Sequence, residues 1–93
     1  MKKITFVIDE LKYCRDILKI DDSTAKDVKT TLIVTGNNNL VDDFKIYDQN
    51  NNQKKYNDYN FFVRSCIFYQ CFKYFRNEPC DLFGVVEIKE ENF

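Results

Sequence analysis

Four cysteines, Cys14, Cys66, Cys71 and Cys80, are the side chains with the greatest capacity for metal or nucleophile chemistry. Their spacing argues against both. Cys66 and Cys71 are five apart, which separates them by about 140° on a helix and sets them on opposite faces of a strand. No C-x-x-C knuckle of the kind that seats zinc is present. The chain has no histidine, so no thiol or hydroxyl has the commonest activating base, and the commonest metal ligand is missing too. The cysteines are therefore read as free thiols behaving as small core residues, with no metal and no cofactor expected. A zinc-stabilised adaptor stays open as an alternative.

Paired carboxylates occur at Asp21-Asp22, Asp42-Asp43 and Glu90-Glu91. Neighbours on a strand point to opposite faces, and the other pairs fall in a turn and a tail, so solvation and capping account for them. Gly36 and Gly84 are the only glycines, so neither a dinucleotide fingerprint nor a phosphate loop can be written. An enzyme is not expected.

With 14 Lys plus Arg against 15 Asp plus Glu, the net charge is −1. Binding to a nucleic-acid backbone is driven by an excess of cations, so only a local basic patch would support it. The 93 residues suit one small α+β domain with a modest core in which nine Phe and six Tyr are the main material. The apolar run that starts at Ile4 is stopped by Asp9, short of the roughly 7 to 15 residues of a secretory signal. No stretch approaches the roughly 20 apolar residues of a membrane span. A reducing cytoplasm is the expected compartment. Abundant Lys, Asn, Ile, Phe and Tyr point to an AT-rich genome, as many phages, firmicute-like bacteria and protozoa have.

The elements that must position these groups follow from periodicity. Ile4, Phe6 and Ile8 alternate with Thr5 and Val7, predicting a strand over 3–8. Asp9 can cap a helix over 10–20 in which Leu11, Cys14, Ile17 and Leu18 recur at helical spacing. One more helical turn fits 23–28. A second strand over 30–35 leads through Gly36-Asn37-Asn38-Asn39 into a third over 40–48. Residues 49–58 are almost wholly polar and read as a flexible loop. Residues 60–77, free of Gly and Pro, favour a helix ending before Pro79, although their Phe, Tyr, Val and Ile would also suit strands. A fourth strand over 82–89 and a charged tail at 90–93 complete a β-α-β-β-α-β order. That order predicts a ferredoxin-like sandwich, a four-stranded antiparallel sheet with two helices on one face.

In the register that buries Ile4, Phe6, Ile8, Leu32, Val34, Phe44, Ile46, Val86 and Ile88, the residues Val7, Ile33, Val41, Tyr47, Phe83 and Val85 turn outward. A contiguous apolar face of that kind marks an interaction site. Comparison with RNA-binding RRM sheets is thin, since Tyr47 is the one aromatic on the central open strands and Asp43 repels phosphate. Acid collects in 78–93, where Glu90 and Glu91 make an edge suited to a basic groove. The expected function is a small non-enzymatic protein-interaction module, homodimeric or docked on a partner. An inhibitor of a nucleic-acid enzyme of the phage anti-defence or anti-CRISPR kind fits that character. A single-stranded RNA or DNA binder is the rival class.

Overall fold

Alternation of apolar and polar residues makes Lys2–Asp9 a strand, β1, with Ile4, Phe6 and Ile8 buried on one face. The computed structural model describes residues 1–13, 15, 19, 29–55 and 61–93, with 61–64 as backbone alone. The Asp9 side chain accepts the Lys12 N–H at 3.0 Å and so caps a single-turn helix, α1, at Glu10–Tyr13. The expected continuation to residue 20 and the turn at 23–28 lie largely outside the described residues, as does Cys14.

Strand β2 spans Lys29–Asn37 and β3 spans Leu40–Tyr47. The two-residue turn between them places Asn38 at a φ of 54°, which asparagine tolerates better than most residues. Gly36 lies within β2 and not in the turn. A Cβ there would run into the Leu40 carbonyl oxygen, so only glycine fits. The polar stretch 49–58 is more ordered at its start than a flexible loop would be. Asp48 folds it back, and Gln53–Lys54 form a short strand, β4, against Ile46 and Tyr47.

Helix α2 covers Phe61–Phe75. Ile67, Phe68, Cys71 and Phe75 form its buried stripe at helical spacing, flanked by Phe72 and Tyr74. Its end is set by Asn77 at a φ of 59°. The Asn77 N–H donates to the Tyr74 carbonyl at 3.1 Å and the Glu78 N–H to the Lys73 carbonyl at 2.9 Å, a Schellman cap. Lys2 of β1 donates to the Phe75 carbonyl at 2.7 Å and stacks on the Phe75 ring. A cation at the negative end of a helix stabilises it, so β1 holds α2 by its C-terminus. Strand β5 is Val85–Asn92, which absorbs Glu90 and Glu91 from the expected tail.

These elements form an α+β structure with a five-stranded antiparallel sheet ordered β4-β3-β2-β1-β5. The expected four-stranded ferredoxin-like order is not what the sheet adopts. A split βαβ unit needs parallel strands separated by another, whereas β1 and β2 are direct antiparallel neighbours from Lys2↔Gly36 to Asp9↔Lys29. The segment 10–28 therefore joins adjacent strand ends and is no crossover. Ile4, Phe6, Ile8, Leu32, Val34 and Ile46 meet the α2 stripe to form the core. Phe6 packs edge-on to Tyr74 and Phe44 to Phe72, with ring centroids 5.8 and 5.3 Å apart. Tyr13 packs on the same core, so α1 lies on that side too.

Candidate protein-interaction surface

The face of the sheet away from α2 is built in rows across β5, β1, β2 and β3. One row reads Glu91, Lys3, Thr35, Asp43, the next Lys89, Thr5, Ile33, Lys45, and the third Glu87, Val7, Thr31, Tyr47. Val7, Ile33 and Tyr47 are on this face as expected, each half-buried. They do not make the broad apolar patch that the sequence suggested. Charged residues of alternating sign surround them, and three threonines occupy the middle.

Two corrections explain the loss. Thr35 pairs with Asp43 but Gly36 pairs with Val41, so Asp42 is an extra residue, a β-bulge in β3. Val7 pairs with Glu87 but Ile8 pairs with Val85, so Val86 is the extra residue in β5. Each bulge shifts the alternation by one. Val41 and Val85, expected to point outward, are thereby turned toward the helix and pack on the core. Val86, expected inside, is exposed. Phe83 is not on the open face either; it precedes β5 and lines a hollow of about 340 Å³ with Tyr13, Cys66, Tyr69, Gln70 and Asp81 beside α2.

Four exposed apolar side chains lie at the β5 margin and the neighbouring side of α2, Phe83 at 56%, Tyr69 at 55%, Val86 at 48% and Ile88 at 36%, while Leu40 and Phe44 are exposed on β3 and Met1 and Phe93 at the strand ends. Ile88 faces the helix side opposite Phe6, as expected, yet stays open because β5 is the outermost strand. Tyr69 is not among the residues that the sequence singles out. It is solvent-facing, with the Lys73 ammonium over its ring at 5.0 Å.

No family model, curated protein or solved structure matches this chain. The surface must be read from its own residues. Glu90 lies on the helix side opposite Ile4, and Glu91 on the open side opposite Lys3 and 3.7 Å from Lys89. The two predicted edge acids thus sit on one strand but on opposite faces of the sheet.

Cys71 is buried, and desolvation first, then the nearby Cys80, pushes its thiol up to about 12. It is not a nucleophile at neutral pH. Cys66 and Cys80 are half-buried free thiols. Among the described residues no cluster of three or more Cys, Asp or Glu is arranged to hold a metal ion, and no helix is long and apolar enough to cross a membrane. A shallow groove of about 560 Å³ lies between the β2–β3 turn and the strand ends near Met1 and Phe93, with Asn38, Asn39, Asn77 and Asn92 on its walls. Asn77 and Asn39 spend their amides on each other at 3.0 Å.

Proposed function

We propose that this chain is a small, non-enzymatic protein-interaction module whose docking surface is the β5 margin. The observation that supports it is that exposed Phe83, Tyr69, Val86 and Ile88 lie beside an outer strand to whose far edge no described residue is paired. Exposed apolar area is costly to leave in water and an open strand edge is a template for pairing, so a partner strand answers to both. Val7, Ile33 and Tyr47 on the open face are secondary contributors in this reading. The wider role expected from the charge, inhibition of a nucleic-acid enzyme through acidic mimicry of phosphate, draws on Glu87, Glu90 and Glu91 lying on the same strand.

Photo-crosslinking tests the location. A benzoylphenylalanine in place of Val86 is expected to form protein adducts in cells, and the same group in place of Thr5 to form far fewer. Adducts from Thr5 with none from Val86 would move the site to the open face. The RNA-binding rival predicts nucleic-acid adducts and affinity falling steeply with salt.

A further inference from the structure

We infer that the partner on β5 is a second copy of this chain, paired strand to strand about a two-fold axis through Ile88. This rests on the reading of β5 as a docking margin and names its occupant. Phe93 exchanges both backbone bonds with Met1, at 2.9 and 3.1 Å. Alternation then directs the backbone groups of Glu91, Lys89 and Glu87 toward β1, and those of Ile88 and Glu90 outward. Beyond the bulge at Val86, Glu87 to Asn92 form an uninterrupted outer edge, to which no described residue is paired. The opposite margin is broken, because β4 covers only Ile46 and Tyr47 and the bulge at Asp42 interrupts the rest of β3.

Charge selects the register. When two identical strands pair antiparallel about an axis normal to the sheet, one residue must face its own copy. With Glu87, Lys89, Glu90 or Glu91 at that point, like charges stand directly opposite, which is destabilising. Of the edge residues only Ile88 and Asn92 are neutral; an axis through Asn92 would pair only the last residues of the strand, whereas the outward N–H and C=O of Ile88 are in the right phase to exchange both bonds with the second Ile88. In that register Glu87 faces the second copy's Lys89, and Lys89 the second copy's Glu87. The two sheets join into a continuous ten-stranded sheet with both α2 helices on one side.

Analytical ultracentrifugation of the purified full chain, with Glu87→Lys and Lys89→Glu variants, tests this. The wild type is expected to dimerise. Each single variant places like charges across both pairs and should raise the dimer dissociation constant roughly tenfold or more. An equimolar mixture of the two restores opposite charges in every pair and should recover wild-type association as a heterodimer. Both residues are exposed, so circular dichroism should show an unchanged fold. A wild type that stays monomeric overturns the pairing, and dimers that ignore the substitutions, or no recovery on mixing, overturn this register. Monomeric wild type with Val86 adducts to another protein would overturn self-pairing while leaving the docking margin standing.

Discussion

At Asp48 one carboxylate organises the turn that returns the chain to the sheet. It accepts the N–H groups of Asn50 and Asn52, both at 2.9 Å, and Lys54 lies 3.8 Å away. The Asn52 N–H above all, then the Asn50 N–H and the Lys54 charge, outweigh burial and hold its pKa below the ordinary value. A depressed carboxylate contributes stability that is full above the unfolded pKa of about 4 and is lost as pH falls through the lower folded value. Asp48→Asn, which resembles the protonated form, should therefore melt below the wild type at pH 6, with the gap closing under pH 4. Thermal melts of the pair across that range are the check, and a gap independent of pH would assign the turn to geometry alone. Residue type made one such group visible early: Asp9 was readable as a cap because its neighbour begins a helix.

Elements were legible where one period runs unbroken. Ile4, Phe6 and Ile8 on β1, Leu32 and Val34 on β2, and the Ile67, Phe68, Cys71, Phe75 stripe on α2 are buried as their spacing requires. What escaped were the bulges at Asp42 and Val86, because an inserted residue reverses the faces of everything beyond it without changing composition. Sheet order escaped for another reason: local periodicity carries no record of which strand becomes a neighbour, and the direct β1–β2 pairing is a long-range choice. The stop of α2 belongs to Asn77 rather than to Pro79. Alanine in the left-handed region costs about 1 kcal/mol more than glycine, so Asn77→Ala should lower unfolding free energy by about that much. Asn77→Gly should stay within about 0.5 kcal/mol of the wild type. Urea titration separates them, and equal effects would show that the amide contact with Asn39, not the backbone, sets the value of this position.

For the whole molecule, one face of the sheet is filled by aromatic side chains from α2, the other is balanced in charge, and part of the residual apolar surface, Phe83, Val86 and Ile88, is displaced to the β5 margin. That displacement follows from the bulge in β5, which turns Val85 into the core and leaves Val86 outside, next to Phe83 in the preceding turn. Gly84, between them, has a φ of 87°, and a Cβ there would approach Tyr13 at 3.0 Å, so the entry into β5 is fixed against α1. Two substitutions two residues apart should consequently behave as opposites. Val85→Asp places a charge against the Ile8 side of the core and should cost roughly 2 kcal/mol or more of stability. Phe83→Asp replaces a side chain already more than half in water and should change stability by about 0.5 kcal/mol or less, while removing apolar contact area from the margin. Chemical denaturation of both, beside their association behaviour, decides the matter. If Phe83→Asp unfolds the chain and Val85→Asp does not, the alternation at the start of β5 runs the other way, and the docking surface returns to the open face of the sheet.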